Sequence, residues 1–243
     1  MTTRTLALYS GTPHPCGYLP GHTATTLFPD PRVPVDTHLY SRLIDHGFRR
    51  SGEHIYRPHC QDCNACIPVR IPVAAFQPNR VQKRTWRRNA DLQVSRVAAV
   101  RNEEHFALYR RYLATRHPGG GMDDPDPEHY LSFFTHPRID TAFYEFRLRG
   151  QLLAVAIVDH LEQGLSAVYT FFDPDHHARS LGVYAVLWQI EEASRLGLPW
   201  VYLGYWIEAS PKMRYKSQYR PLEAYRGGRW NIIDPAFHTI YGQ

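Results

Sequence analysis

The sequence predicts an α+β fold in which a mostly antiparallel, twisted sheet carries flanking helices. In the second half of the 243-residue chain, strand-like alternation recurs between glycine turns, as in an antiparallel meander, over residues 142–148, 152–158 and 166–172. Ser180 then begins a helical apolar pattern that ends at Gly197, and a further strand starts at Trp200. The order β-β-β-α-β, followed by a last strand at residues 230–233, therefore defines the predicted core.

Length and composition are those of an ordinary soluble globular protein. Hydrophobic residues make up 43% and charged residues 21% of the 243 residues, which suffice for one large or two small domains. The formal net charge is +5 and most of the cations are Arg, which allows an anionic partner such as phosphate. No apolar run is long enough for a transmembrane helix, and the N-terminus is too polar for a secretory signal. We therefore expect a cytoplasmic protein without a membrane partner.

Residues 1–100 are expected to form an N-terminal region packed on the core, and residues 101–243 a C-terminal region that contains it. Residues 37–46 predict a short helix with Asp36 as its N-cap, and residues 48–58 predict a strand-turn-strand unit. Residues 69–73 predict another strand. Pro72 within it suggests an edge position, because proline cannot donate a ladder hydrogen bond.

A cysteine cluster lies within the N-terminal region. Cys60, Cys63 and Cys66 are separated by two-residue gaps, which let successive thiolates of a loop converge on one ion or cluster. Cys16 is the remaining cysteine of the chain, and His14 and His59 are nearby substitutes. The pattern suits a zinc or an iron–sulfur site on Cys16, Cys60, Cys63 and Cys66. Half-buried thiols in a turn explain it equally well.

Two stretches mix cations with aromatic rings. After the last core strand, residues 200–223 interleave Lys and Arg with Tyr, a combination that neutralises phosphate and stacks on bases. Earlier in the chain, five cations surround Trp86, plausibly on a helix: Arg80, Lys83, Arg84, Arg87 and Arg88. Each stretch suits contacts with a nucleic-acid backbone. The alternatives are a solvated basic loop and a solvated helix whose Trp86 packs inward.

The order of core elements also resembles that of a GNAT-type acyltransferase. In that fold two strands splay and hold an acyl donor, while a helix N-terminus offers unpaired N–H groups to an anion. Members that use CoA carry a Q/R-x-x-G-x-G/A turn, to which Arg179 and Gly182 correspond here. Tyr184 stands where a small residue would let the backbone approach pyrophosphate. This departure argues against ordinary CoA binding and leaves room for another acyl donor.

Five separated motifs make the chain resemble the arginyl-tRNA–protein transferase family. The resemblance covers residues 14–235, and the short length and cysteine spacing are similar to the bacterial branch. It implies transfer of leucine from Leu-tRNA to proteins that begin with Asp or Glu, within the N-degron pathway, by one transferase with two regions. The motifs are Pro15-Cys16-Gly17-Tyr18, Gly47-Phe48-Arg49-Arg50-Ser51-Gly52, Tyr169-x-Phe171-Phe172-Asp173-Pro174-Asp175, Ser180-Leu181-Gly182-x-Tyr184 and Pro211-Lys212-Met213-Arg214-Tyr215-Lys216-x-Gln218-Tyr219.

The chain departs from the family pattern at two positions. Leu19 replaces a second cysteine of the turn that contains Cys16, and Ser210 replaces a cysteine that many members have before the Lys-Met-Arg-Tyr-Lys run. Four cysteines remain for a metal or cluster. The second departure indicates that the chemistry needs no thiol at position 210.

The reaction that the resemblance implies is aminolysis of an ester. The acceptor's α-amine attacks the carbonyl that links leucine to the terminal ribose. Because the ester is already activated, transfer requires neither ATP nor another cofactor, in keeping with the lack of a G-x-x-x-x-G-K-[ST] phosphate loop in the sequence. The enzyme must align amine and carbonyl, remove the amine's proton and stabilise the developing oxyanion.

Candidate residues for each task follow from these requirements. The tRNA end is assigned to Lys212, Arg214, Tyr215, Lys216, Tyr219 and Arg179. Recognition of an acidic N-terminal residue requires a cation, and the candidates are Arg49, Arg50, Arg57, Lys83 and Arg84. Asp173, at a predicted strand end, is the candidate general base acting through water. The alternative for Asp173 is a turn-forming role before Pro174.

Other activities stay open at this point. Arginyl transfer from Arg-tRNA would use the same machinery. A CoA-dependent N-acetyltransferase would share the core but not the basic-aromatic stretches. A non-catalytic RNA-binding module with a metal-bound cysteine cluster would not need so large a meander-helix-strand core.

Overall fold

The computed structural model of the protein describes residues 5–116 and 126–233. Its helices are α1 (Thr37–Asp45), α2 (Arg80–Arg88), α3 (Glu103–Arg116), α4 (Pro127–Phe134) and α5 (Leu181–Arg195). The strands are β1 (Leu8–Ser10), β2 (His14–Pro15), β3 (Thr23–Ala24), β4 (Thr26–Pro29), β5 (Arg49–Ser51), β6 (His54–Pro58), β7 (Ile67–Pro72), β8 (Gln93–Val97), β9 (Thr141–Leu148), β10 (Gln151–Leu161), β11 (Gly164–Phe172), β12 (Trp200–Trp206), β13 (Glu223–Arg226) and β14 (Arg229–Ile232). Short 3₁₀ helices cover Val73–Ala75, Pro174–Arg179 and Arg214–Gln218.

An eight-stranded sheet in the order β14-β13-β7-β12-β11-β10-β9-β8 forms the centre of the molecule. Its neighbouring strands are antiparallel except for the parallel pair β11 and β12. The predicted α+β class with a mostly antiparallel sheet is therefore confirmed, as is the β-β-β-α-β order. A four-stranded sheet, β1-β4-β6-β5, and the small pair β2-β3 complete the described strands.

Local capping signals place the helices where the sequence predicts them. The Asp36 carboxylate accepts a hydrogen bond from the Leu39 amide at the start of α1. Asn79 and Gln82 form a reciprocal capping box at the start of α2. The Asn102 side chain accepts from the amides of the first turn of α3. Each cap satisfies backbone donors that the helix itself leaves unpaired.

The predicted edge position of the strand around Pro72 is wrong. β7 lies inside the large sheet, with β12 on one side and β13 on the other. β13 pairs only with Val69 and Arg70 of β7. Pro72, the last residue of β7, therefore needs no backbone N–H to bond with β13. The strand also joins the N-terminal half to the C-terminal sheet. The division at residues 100 and 101 stays a prediction.

Helices cover both faces of the sheet and bury separate apolar clusters. One cluster joins α5 to strands β7, β10 and β12 through side chains such as Leu187, Val201 and Leu153. Another joins α3 and α4 to the opposite sides of β10 and β11, with Phe134 and Phe171 at its centre. Among the described residues, no helix has the length and apolar character needed to cross a bilayer.

Candidate active site

The large sheet opens between β11 and β12. The two strands pair only where residues Gly164 to Ser166 face Trp200 to Tyr202. Beyond these three pairs both strands continue, β11 to Phe172 and β12 to Trp206, without pairing to each other. We call the space between their unpaired parts the strand gap. Backbone groups and side chains along its walls are therefore available to groups other than a neighbouring strand.

Arg49 of β5 enters the base of the strand gap. Its guanidinium donates to Ser166 Oγ at 2.8 Å and to the Ala167 carbonyl at 2.7 Å, both on β11. On the β12 side it lies against Gly204, where an added Cβ would meet Arg49 Nε at 3.0 Å. Gly204 also has a φ of +81°, so glycine is required there for two reasons. Arg49 thus bridges the two diverging strands.

The charge of Arg49 has no carboxylate partner within residues 5–116 and 126–233. Its guanidinium donates to a hydroxyl and a carbonyl, although only 8% of the residue is exposed. A buried cation without a counter-ion is costly, because burial removes its hydration without supplying an opposite charge. The site is therefore electrostatically suited to an anionic ligand.

The next residue, Arg50, has the opposite environment. Its guanidinium donates to both carboxylate oxygens of Asp159, at 2.7 and 2.5 Å, and neither side chain is exposed. It also donates to the Phe134 carbonyl and to Thr141 Oγ1. This bidentate, fully buried pair holds β5 against β9, β10 and α4. Its donors are committed to the protein interior.

Lys216 lies on the β12 side of the strand gap. Its Nζ donates to the Tyr205 carbonyl at 2.7 Å, and 9% of the residue is exposed. Burial, together with the nearby charge of Arg49, lowers the pKa of Lys216 to about 7. Lys216 thus sits in an interior position, whereas the sequence placed it among the phosphate-binding cations.

The other residues predicted to hold tRNA divide into exposed and buried groups. Lys212 and Arg214 are exposed, and so is 42% of Tyr215, although burial raises the pKa of its hydroxyl to about 12. Tyr219 is 1% exposed and packs against Phe76 with ring centroids 6.3 Å apart. Arg179 forms a bidentate pair with Asp91 at 2.8 and 2.9 Å. The structure therefore brings only part of this set to the surface, and the assignments stay predictions.

Lys83 and Arg84 lie on the outer side of α2, away from the residues that fill the strand gap. With Arg80 and Arg87 they line a surface groove, and we call these four side chains the α2 face. No salt bridge engages these four cations within the part of the chain that the structure describes. α2 is fixed beside the Arg214–Gln218 segment, because Gln82 Nε2 donates to the Gln218 carbonyl at 3.2 Å. The α2 face thus belongs to a helix that contacts the segment in which the exposed Arg214 lies.

Trp86 and Tyr184 pack together on the inner side of α2. Their ring centroids are 5.3 Å apart, and Tyr184 also contacts Phe146. Trp86 remains 36% exposed, whereas Tyr184 is 5% exposed. Tyr184 is thus a core residue that joins α5 to α2.

Two further candidates have structural contacts of their own. Arg57 donates to the His46 carbonyl at 2.8 Å and lies over the Phe48 ring at 5.0 Å. Asp173 is 2% exposed, accepts from the Asp175 amide at 3.0 Å and pairs with Arg111 at 2.7 Å. These are the contacts of a turn and cap residue, as the alternative interpretation of Asp173 expects. The roles of both residues stay predictions.

The four cysteines lie near one another and near the strand gap. Cys60 and Cys63 face each other in an isolated antiparallel bridge, and all four thiols are half-buried. Burial raises the pKa of Cys66 to about 12, and the other three cysteines add to this shift. Across residues 5–116 and 126–233, however, no group of three or more His, Cys, Asp or Glu side chains is arranged to hold a metal ion.

Sequence reasoning missed the groups that shape the strand gap. Ser166 and the Ala167 carbonyl carried no signal, because their role arises from a contact with Arg49, more than a hundred residues away. Gly204, in contrast, did carry a signal in the sequence. An isolated glycine inside a strand pattern indicates a bulge or a close approach, and the pairing of β12 with β7 shifts register between Tyr202 and Gly204.

The fold and site define an α+β protein with basic side chains buried at a strand gap and exposed cations on the α2 face. Residues 14–84 match the N-terminal part, and residues 104–226 the C-terminal part, of the arginine-tRNA-protein transferase family. The chain belongs to this family, and the resemblance inferred from its motifs is thereby confirmed.

Curated relatives carry a more specific name. An aspartate/glutamate leucyltransferase of Pseudomonas fluorescens (strain Pf0-1) is 56% identical over 229 residues, which cover 94% of this chain and 97% of the relative. A leucyltransferase of the same name from Pseudomonas aeruginosa (strain UCBPP-PA14) is 56% identical over 225 residues, covering 93% and 96%. The similarity extends over nearly the whole length of both relatives.

Solved structures show weaker likenesses. The C-terminal domain of a putative lysylphosphatidylglycerol synthetase from Agrobacterium fabrum has a TM-score of 0.45 and 15% identity, covering 70% of this chain and 52% of that one. FemX has a TM-score of 0.44 and 8% identity, covering 75% of each. Likenesses of this size do not by themselves establish a fold.

Proposed function

We propose that the chain transfers leucine from Leu-tRNA to the N-terminal Asp or Glu of acceptor proteins. The observation that carries this proposal is identity of 56% over 94% of the chain to a protein named aspartate/glutamate leucyltransferase. The chain is an aminoacyl-tRNA–protein transferase by family, so the enzyme class predicted from the sequence is confirmed. Because its substrate would be aminoacylated tRNA, we place the protein in the cytoplasm. The newly added leucine would mark the acceptor protein for degradation by an N-degron pathway.

We place the chemistry at the strand gap, as in a GNAT-type acyltransferase. Supporting this are the divergence of the parallel pair β11 and β12 and the convergence on it of two buried basic side chains, Arg49 and Lys216. A water-poor site strengthens every charge–charge interaction made there. It also aligns amine and ester without competition from solvent.

Recognition of the acceptor side chain is best assigned to Arg49. Among the five candidates, Arg50 is neutralised by Asp159, and Lys83 and Arg84 belong to the solvated α2 face. Arg57 is engaged with a carbonyl and a ring. Arg49 alone among them is buried at the strand gap with neutral partners, which leaves its charge for a carboxylate.

The body of the tRNA is best assigned to the α2 face together with Lys212 and Arg214. These cations are exposed on neighbouring elements, as contacts with a phosphodiester backbone require. Lys83 and Arg84 then move from acceptor recognition to tRNA binding. Such contacts fix the orientation of the RNA without reading its sequence.

One assay tests the function directly. The protein is incubated with labelled Leu-tRNA, Arg-tRNA or acetyl-CoA and a peptide that begins with Asp. Transfer from Leu-tRNA alone is expected. Transfer from Arg-tRNA or from acetyl-CoA instead would mean that the protein is an arginyl- or an acetyltransferase. If none of the three donors supports transfer, the proposed enzymatic function is wrong.

A zinc ion or iron–sulfur cluster on Cys16, Cys60, Cys63 and Cys66 is a separate proposal. It is supported by the proximity of the four cysteines, three of which add to the effect of burial in raising the pKa of Cys66, although within the described residues the thiols are not arranged as ligands. No step of the transfer passes through such a group. Elemental analysis and a visible spectrum of anaerobically purified protein distinguish zinc, an iron–sulfur cluster and free thiols.

A further inference from the structure

Lys216 is a buried lysine whose position needs an explanation. Its side chain donates a hydrogen bond to the Tyr205 carbonyl and forms no salt bridge within the described residues. Taking an ammonium out of water without a counter-ion is expensive, so the neutral amine is favoured instead. A phosphate-binding lysine has the opposite requirement, since it must stay charged and reach the surface.

The groups around Lys216 reinforce this preference. Arg49 of β5 is the charged group that acts on it directly. The charge of Arg49 also lowers the pKa of Tyr56 of β6, Tyr205 of β12 and Tyr215 of the Arg214–Gln218 segment. Burial outweighs this effect, so the pKa of each of these tyrosines is raised. The tyrosines therefore stay protonated near neutral pH and supply no negative charge. Lys216 is the group among them that can gain or lose a proton near pH 7.

We propose that Lys216 is a catalytic residue that accepts the proton of the acceptor's α-ammonium at the strand gap. The inference rests on the proposed leucyl transfer and replaces the sequence assignment of Lys216 to tRNA binding. It follows from three features of the site: burial, the lack of a counter-ion among residues 5–116 and 126–233, and position on the wall of the gap opposite the β11 contacts of Arg49. An acceptor carboxylate on Arg49 would offset the charge that disfavours protonation of Lys216.

The proton balance is as follows. The α-ammonium gives one proton to the Lys216 amine and becomes a nucleophile. Its nitrogen bonds to the leucyl carbonyl carbon, and the bond from that carbon to the ribose oxygen breaks. The second proton of the nitrogen passes to the ribose oxygen. The products are a neutral amide and a free ribose hydroxyl, and Lys216 returns its proton to solvent.

The test uses Lys216→Arg and Lys216→Met in single-turnover transfer at saturating Leu-tRNA. Arginine keeps the charge but cannot lose its proton, and methionine keeps much of the volume without an amine. General-base catalysis contributes roughly 10²–10⁴-fold, so we expect a loss of that size at pH 7 in both variants. Affinity for Leu-tRNA should change by less than about threefold, because the contact removed is not a phosphate contact.

The pH dependence separates a base from a structural lysine. An α-amine has a pKa of about 8 and loses its proton to solvent at higher pH. The ratio of wild-type to Lys216→Arg rates should therefore fall between pH 6.5 and pH 9. Lys212→Met is the matched control from the same segment, and it should weaken Leu-tRNA binding while keeping the wild-type pH profile.

Three results would overturn the proposal. They are transfer by Lys216→Arg within tenfold of wild type, a loss explained by Leu-tRNA affinity, and a rate ratio that does not change with pH. If the variants do not fold, the wild-type profile of kcat/KM decides: it must contain an ionisation near pH 7 besides that of the peptide amine. A wild-type protein that transfers no leucine would instead refute the proposed function.

Discussion

The α2 face and the strand gap use the same kinds of residue in opposite ways. The four cations of the α2 face are solvated and line an open groove, whereas Arg49 and Lys216 are buried within the sheet. In water, two unit charges 4 Å apart interact by about 1 kcal/mol, and by about 4 kcal/mol at the effective dielectric of a protein site. The comparison teaches that burial, not residue type, separates the side chains proposed to orient RNA from those proposed to act on the reacting groups.

The largest expected effect is on stability, and it tests whether burial decides how strongly a charge pair contributes. Asp159→Asn leaves Arg50 as an uncompensated buried charge, which should cost about 3–5 kcal/mol in the free energy of unfolding. Urea denaturation measures it. Asp140→Asn is the control, since its pair with Arg96 is about half exposed and should cost about 0–1 kcal/mol. Equal effects of the two substitutions would contradict the claim that burial decides.

The next effect concerns acceptor choice. Arg49→Gln should lower the preference for a peptide that begins with Asp over the isosteric Asn peptide by about ten- to a hundredfold, since a hydrogen bond to a charged group contributes about 1.5–3 kcal/mol. The ratio of kcat/KM values for the two peptides measures it. Arg57→Gln is the matched control on β6. A larger loss of selectivity in that variant would move recognition from Arg49 to Arg57.

A smaller effect is expected at the α2 face. Lys83→Glu and Arg84→Glu should each weaken Leu-tRNA binding and flatten its salt dependence by about one unit of slope per lost phosphate contact. Acceptor selectivity should be unchanged. Arg229→Glu, at an exposed cation of the edge strand β14, serves as the control. An unchanged slope for both α2 variants would remove the α2 face from tRNA binding.

The smallest effect is expected at Asp173. Asn caps helices about as well as Asp, so Asp173→Asn removes chiefly the ion pair between the buried Asp173 carboxylate and Arg111, whose side chain is half exposed. Transfer should fall no further than this loss of stability explains. A drop of a hundredfold or more in the single-turnover rate would restore Asp173 as the general base and count against Lys216.

Local rules were enough to predict most of the helices and strands. Caps such as Asp36, glycine turns and alternating apolar residues act over a few positions, so their signals lie within short segments. The family was equally accessible, because its motifs are contiguous in the chain. Even Gly204, a glycine inside a strand, marked a place where backbone and side chain approach closely.

Tertiary structure decided what each charged residue does. Successive strand residues face opposite sides, so Arg49 and Arg50 were bound to differ, but their partners lie more than a hundred residues away. Pro72 shows the same limit, since its strand is internal only because β12 and β13 flank it. The sequence by itself determined the elements, the family and the cationic residues. Long-range pairing determined which cations are desolvated, and desolvation sets their chemistry.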